Sequence, residues 1–222
     1  MAHDFQPITS SDQIEKLPLT QSVLLINGIF GTLAILPNLL LFVILISPGK
    51  RYGRDNVLLI ASCLSDIISC VALSLTGFTR YSLVSLALKE HAIPVVTQWS
   101  CVAYAFVSIR LIGNVMAPLT QIANAIERYI CIRHPLRYRQ QFITRQIIAV
   151  SIVLSATTVA IVTATAVAYV NGNKPTNFLC GRREAYGSTF AIFLYGLLVG
   201  GYLTAFLIGL FSYIFVVKNR GG

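Results

Sequence analysis

Five long apolar stretches alternate with short polar segments along the chain. They cover approximately residues 20–46, 56–79, 99–131, 146–170 and 188–217. Each stretch is long enough to cross the roughly 30 Å of hydrocarbon in a bilayer as an α-helix. A helix satisfies its own backbone hydrogen bonds in lipid, whereas an open strand does not. The pattern therefore predicts an all-α fold, a polytopic bundle of five transmembrane helices.

The composition changes this picture only by excluding a nucleic-acid partner. Of the 222 residues, 55% are hydrophobic and 11% are charged. In soluble domains about a quarter of the residues are charged. The net charge of +9 falls in short segments between the apolar stretches. That distribution follows the positive-inside rule and does not form a water-soluble basic face. We therefore expect a lipid bilayer as partner and no nucleic acid.

The basic segments also orient the chain in the membrane. Residues 47–55 and 133–145 are rich in lysine and arginine, and short loops of this kind stay in the cytoplasm. Residues 1–19 are then predicted to be an extracellular tail, and residues 218–222 a cytoplasmic end. The prediction is a multi-pass protein of the plasma membrane with its transmembrane region at residues 20–217.

The five cysteines show neither a CxxC motif nor a Cys/His metal spacing, so we expect no metal site and no thiol redox centre. Cys101 and Cys180 both fall on the outer, oxidising side in this topology, where they can form a disulfide. The three histidines lie in separate segments. We therefore predict no catalytic residues, no cofactor and no enzyme activity.

Two polar side chains interrupt the first two helices at similar depth. Asn38 follows Pro37 in the first, and Asp66 lies in the second. At ~1.5 Å per residue they lie roughly 12 and 15 Å from the inner ends of their helices, so we predict an intramembrane network in which they bond to each other. The alternative interpretation is that Asp66 is protonated and merely packed.

The third stretch is the most polar of the five. It contains Arg110, Asn114, Gln121 and Asn124, and Pro118 is expected to kink it. Polar groups in a membrane helix face the bundle interior, so this helix is predicted to be central.

The same helix ends at Glu127, Arg128 and Tyr129. Charges at the edge of the hydrocarbon pair with each other or with a protein partner. An arginine that simply extends to the interface is the alternative interpretation.

Several of these residues together point to one known family. They are Asn38, Asn56 with Leu64-Ser65-Asp66, Cys101, Glu127-Arg128-Tyr129 and His134-Pro135-Leu136-Arg137-Tyr138. In order, depth and spacing they resemble a rhodopsin-family (class A) G-protein-coupled receptor, with five of the family's seven helices. Nothing matches the sixth and seventh helices, the tryptophan of the fourth or the proline of the fifth. We therefore expect a divergent receptor that is a truncated product, an isoform or an incomplete gene model.

The resemblance implies a role for each end of the third helix. At the inner end, Arg128 would be held by Glu127 in an ionic lock and, once freed, would meet a heterotrimeric G protein, with Tyr129 in the same motif and Leu136 packing beside it. At the outer end, Arg110 and Asn114 would contact an extracellular small molecule or peptide.

The residue type at position 110 indicates the charge of that ligand. Amine receptors have an aspartate at the matching position, whereas Arg110 would repel an ammonium group and suit a carboxylate or phosphate. The predicted ligand is therefore anionic. In the alternative interpretation, Arg110 pairs with Glu184 or Asp66 or extends outward.

Two other functions stay open from the sequence. A fragment without signalling activity could act by heterodimerisation, and Gly196-x-x-x-Gly200 offers a close-packing face. Packing within the chain is the favoured interpretation of that motif. A small transporter is less favoured, because its two halves would show inverted repeats and none is visible.

Overall fold

The computed structural model is a bundle of long α-helices, as the hydrophobic pattern predicts. In chain order the helices are α1 (Ser11–Ile46), α2 (Val57–Glu90), α3 (Gln98–Ala103), α4 (Ala105–Arg133), α5 (Pro135–Val170), α6 (Arg182–Tyr186) and α7 (Ser188–Arg220). Five of them, α1, α2, α4, α5 and α7, contain stretches long and apolar enough to cross a membrane. The chain is thus an all-α multi-pass membrane protein.

The structure describes residues 5–7, 11–47, 57–90, 92–94 and 96–220. Asn56 and most of the predicted cytoplasmic turn at residues 47–55 lie outside these ranges. The side chain of Leu136 also lies outside the described part, although its backbone belongs to α5.

Three helices extend beyond the predicted ends. The first helix begins at Ser11, ahead of residue 20, and α2 continues to Glu90, past the predicted end at residue 79. The prediction ended α2 where the apolar run meets Arg80, but a charge on the outer part of a helix does not break its backbone hydrogen bonds. The helix α5 begins at Pro135, ahead of the predicted start at residue 146. Pro135 occupies a first-turn position, where its missing N–H costs no helical hydrogen bond.

The predicted third helix is divided in two. Tyr104 has an extended backbone (φ −70°, ψ 124°) and separates α3 from α4. Downstream, α4 runs without interruption through Pro118. The break therefore lies at the outer end of the helix, not at the proline.

The helices α1 and α2 approach each other closely because small residues face each other. A Cβ added at Gly77 would meet the backbone of Gly28, and one at Gly31 would lie 2.6 Å from the backbone nitrogen of Ser74. Small residues at a crossing allow the backbones to pack directly. This crossing fixes the outer half of α2, which carries Arg80.

The central helix of the bundle is α4. It contacts α2, α5 and α7, and half of the residues in its apolar stretch are buried, against 6% in α1 and 17% in α5 and α7. One of its amides faces a neighbouring helix: Asn124 donates a hydrogen bond to the Ser62 hydroxyl of α2 at 2.6 Å. The most polar of the five long helices is therefore also the most buried.

A small outer layer covers one end of the bundle. It contains α3, α6 and two short antiparallel pairings, β1 (Phe5–Pro7) with β2 (Ala92–Pro94) and β3 (Val96–Thr97) with β4 (Pro175–Thr176). The predicted disulfide between Cys101 and Cys180 is present, with the Cα atoms 5.2 Å apart. It ties the segment before α6 to α3 and so holds that segment over the end of α4.

Candidate functional site

A small cavity lies beneath the disulfide, between α2, α4, α6 and α7. Its volume is about 10 Å³, which is roughly the space that one water molecule requires. The lining combines three arginines and an asparagine with aromatic and apolar side chains: Arg80, Phe106, Val107, Arg110, Leu111, Asn114, Cys180, Arg182, Tyr186 and Leu194. We call this space the outer cavity.

Arg110 lines the outer cavity, with Asn114 one turn further along α4. Among the described residues Arg110 forms neither a hydrogen bond nor an ion pair, so the alternative pairings with Glu184 and Asp66 are not formed. The half-buried guanidinium instead lies close enough to Arg80 and Arg182 for their charges to repel it.

Arg80 reaches the outer cavity from α2. Its Nη2 donates a 2.8 Å hydrogen bond to the carbonyl oxygen of Cys180, and its guanidinium carbon lies 5.6 Å from the centre of the Phe106 ring. The Nε of Arg80 is buried and has no hydrogen-bond partner among the residues that the structure describes. Arg80 therefore links α2 to the disulfide segment and keeps one donor free.

Arg182 reaches the cavity from α6. Its Nη2 donates a 3.1 Å hydrogen bond to Oδ1 of Asn114, and its guanidinium lies 4.8 Å from the centre of the Tyr195 ring. Burial lowers the pKa of Arg182, and the neighbouring Tyr195 partly offsets this. Two further buried donors, Nε of Arg182 and Nδ2 of Asn114, have no partner within the described ranges.

The sequence did not identify Arg80 and Arg182 as site residues. Both appeared as charges of outer connecting segments, and only the fold brings them next to Arg110. One signal was available, because Arg182 follows Cys180 by two residues. A disulfide from Cys180 to the helix before α4 brings any nearby cation close to the end of α4.

The predicted bond between Asn38 and Asp66 is not formed. The side-chain nitrogen of Asn38 donates a 2.9 Å hydrogen bond to the carbonyl oxygen of Ala34 and lies 3.9 Å from the sulfur of Cys70. Cys70 is one turn beyond Asp66 on α2. The predicted depth of Asp66 relative to Asn38 was therefore wrong by one turn. The backbone oxygen four residues back on its own helix is also a closer acceptor for an asparagine in lipid.

Glu127 and Arg128 do not form the predicted ionic lock. One carboxylate oxygen of Glu127 accepts a 2.8 Å hydrogen bond from the Tyr138 hydroxyl and a second hydrogen bond from the side-chain nitrogen of Gln146. The amide oxygen of Gln146 in turn accepts from the backbone nitrogen of Val57 at 3.0 Å. Adjacent residues on a helix do not face each other, and α5 supplies the partners of Glu127 instead.

Arg128, the residue after Glu127, forms no ion pair or hydrogen bond with the described residues. Arg128 is exposed and lines an open cleft of about 380 Å³ at the inner end of α4, together with Asn124 and Cys131. Tyr129 lines a neighbouring groove of about 420 Å³ between α4 and α7. The two spaces present one cation and one phenol at the same end of the bundle.

No known protein family model matches the chain, and no curated protein matches it.

Proposed function

We propose that the chain is a class A type G-protein-coupled receptor, or a shortened form of one, that acts at the plasma membrane. It would sense an extracellular ligand and signal through a heterotrimeric G protein. One observation carries the proposal. The buried central helix α4 has a cation-lined cavity at its outer end and an exposed arginine in an open cleft at its inner end.

The distance between the two ends suits a transmembrane signal. Arg110 and Arg128 are eighteen residues apart on α4, which corresponds to roughly 27 Å along the helix axis. A ligand that contacts the outer cavity more strongly in one conformation shifts the equilibrium of the whole helix toward that conformation.

The inner end of α4 holds a hydrogen-bonded carboxylate beside a cation that has no partner among the described residues. The hydrogen bonds of Glu127 join α4 to α5, and Gln146 continues this connection to the start of α2. Arg128 is outside this network and so is available to the carboxyl-terminal helix of a G protein, the partner implied by the resemblance.

The test is G-protein activation in cells that express the full chain. Resonance energy transfer between Gα and Gβγ would be recorded while a panel of small carboxylic acids and acidic peptides is applied. We expect at least one acid to dissociate the G protein. The variant Arg128→Ala should reduce that response at least tenfold at equal surface expression, because the exposed cation is lost.

The matched control is Arg133→Ala, which removes the same charge five residues later on α4, where the guanidinium lies against Phe215. It should keep the response. Uptake of an active acid without any change in the G protein would contradict the receptor proposal and favour a transporter.

A second candidate function is supported by the surface of α7. A Cβ added at Gly196 or Gly200 would meet no atom of the described chain within 4 Å. The favoured interpretation of this motif, packing within the chain, is therefore wrong, and the small-residue face points outward. A chain that pairs with another receptor through this face would act by heterodimerisation, without signalling itself.

Co-expression distinguishes the two candidates. If the chain alone gives no G-protein response but changes the response of a co-expressed receptor, and Gly200→Leu abolishes that change, the heterodimer function is favoured. A response from the chain alone that survives Gly200→Leu favours the receptor function.

A further inference from the structure

We infer that Arg80, Arg110 and Arg182 together form a binding site for the carboxylate group of an extracellular ligand. The inference rests on the proposed function, since it takes the outer cavity as the ligand site of the receptor. To the anionic ligand that the sequence predicts at Arg110, the structure adds two further arginines, Arg80 and Arg182, and a preference for carboxylate over phosphate.

The charges of the outer cavity are not balanced by the described chain. Three guanidinium groups line one small space, and none has a carboxylate oxygen of the described residues within 4.0 Å. Glu184 acts on Arg80 only from a greater distance. Like charges repel strongly where water is scarce, so an anion between them would remove a repulsion and add three attractions.

The unused donors point to the same conclusion. Nε of Arg80, Nε of Arg182 and Nδ2 of Asn114 are all buried without a partner in the described part of the chain. A buried donor that makes no hydrogen bond is costly, and the great majority of such groups in proteins are paired. Three of them beside one cavity are therefore explained by an acceptor that enters from outside.

The size of the cavity selects among anions. With a volume of about 10 Å³, the space admits roughly one oxygen atom without rearrangement. A planar carboxylate can present one oxygen edge-on and match the planar guanidinium fork. A tetrahedral phosphate, with four oxygens, would need the walls to move further apart than a planar carboxylate would. The geometry therefore favours a carboxylate.

The rest of the lining indicates what is attached to the carboxylate. Phe106, Val107, Leu111 and Leu194 are buried apolar side chains around the same space. A carbon next to the acid group would contact them. Both a free small carboxylic acid and the carboxyl terminus of a peptide have this chemistry.

Binding would join three separate elements. Arg80 belongs to α2, Arg110 to α4 and Arg182 to α6, and the disulfide ties the segment before α6 to the helix before α4. A carboxylate shared by the three arginines would hold this segment against α4. The ligand would thus change the outer end of the helix whose inner end carries Arg128.

The test is a thermal unfolding measurement on the purified full chain in detergent, which needs no G protein. The probe is sodium acetate at millimolar concentration in a buffer of constant ionic strength, compared with its neutral isostere acetamide and with chloride. At saturation, acetate should raise the unfolding midpoint by roughly 2–4 °C, and acetamide and chloride should not.

Two substitutions localise the effect. Arg182→Gln should weaken acetate binding at least tenfold, because it removes one of the three charges. Its matched control is Arg183→Gln, which removes the next charge on the same segment from an exposed position and should leave acetate binding unchanged. Arg110→Gln provides a second test variant on α4 in case Arg182→Gln does not fold.

One further pair of probes distinguishes a free small acid from a peptide terminus as the source of the carboxylate. The two probes are trialanine with a free and with an amidated carboxyl terminus. Stabilisation by acetate alone assigns a free small acid, whereas stabilisation by free but not amidated trialanine assigns a peptide terminus.

Equal effects of acetate and acetamide, a chloride effect as large as that of acetate, or full acetate binding by both Arg182→Gln and Arg110→Gln would overturn the inference. A G-protein assay that fails while acetate still binds would instead count against the proposed function alone.

Discussion

The contacts of a single side chain in this protein depend on which partners the fold brings next to it. Glu127 is next to Arg128 in the sequence, yet its carboxylate is bonded to the neutral donors Tyr138 and Gln146. The identities of the charged residues were readable from the sequence, but the direction of each side chain was not. Neighbouring positions on a helix diverge by roughly 100°, so sequence adjacency does not predict a pair.

Tyr186 allows a residue-scale prediction about pH. Its ring is buried, and its hydroxyl donates a 3.4 Å hydrogen bond to the carbonyl oxygen of Val107. Burial raises the pKa of this phenol. Below about pH 10 the phenol is protonated in both the folded and the unfolded chain, and its contribution to stability is complete. Above that pH the unfolded chain ionises first, so stability falls as pH rises.

The variant Tyr186→Phe should therefore lose less stability than the native chain between about pH 10 and 11, by roughly 1 kcal/mol. Chemical unfolding in detergent at a series of pH values measures this. As control, Tyr169→Phe removes the hydroxyl of a tyrosine that is 76% exposed and should keep the native pH dependence. If both variants follow the native curve, burial of Tyr186 does not control alkaline stability.

At the scale of elements, the distance between neighbouring helices decides which glycines cannot be replaced by a larger residue. Gly201 of α7 faces α4, and a Cβ built on it would lie 2.6 Å from the Cβ of Pro118. Gly200, the preceding residue, faces away from the described chain. The sequence shows two adjacent glycines in an apolar helix and contains no information on which of them is in contact. Only the packing of α7 against α4 separates them.

We therefore expect opposite effects from two substitutions one position apart. Gly201→Ala should destabilise the bundle by about 1–3 kcal/mol, since α4 and α7 must move apart. Gly200→Ala should be neutral or stabilising by up to about 1 kcal/mol, because alanine is the better helix former. Thermal unfolding of both variants in detergent gives the comparison. A loss of stability in Gly200→Ala equal to that in Gly201→Ala would show that α7 packs with a different face.

At the scale of the whole molecule, the number of spans predicts on which sides of the membrane the two ends of the chain lie. The described residues contain five membrane-length helices, so we expect the termini on opposite sides of the membrane. The positive-inside rule favours an extracellular amino terminus, because the segment at residues 133–145 is strongly basic.

Epitope tags at the two ends test this orientation. In intact cells an antibody should detect the amino-terminal tag at the surface, and the carboxyl-terminal tag should be detected only after permeabilisation. An antibody against a cytoplasmic protein controls for leaky cells. Detection of both tags in intact cells, or of the carboxyl-terminal tag alone, would refute the predicted orientation.

The sequence by itself determined the fold class, the number of spans, the central position of α4 and the pairing of Cys101 with Cys180. These follow from hydropathy, polarity and the sidedness of the membrane, which act on each segment separately. Only the tertiary structure decided which charges meet: that Arg80 and Arg182 join Arg110, that Glu127 binds α5 and not Arg128, and that Asn38 does not reach Asp66. Such contacts depend on the rotation of each helix about its axis and on how far the helices extend, and both are set by packing between helices distant in the sequence.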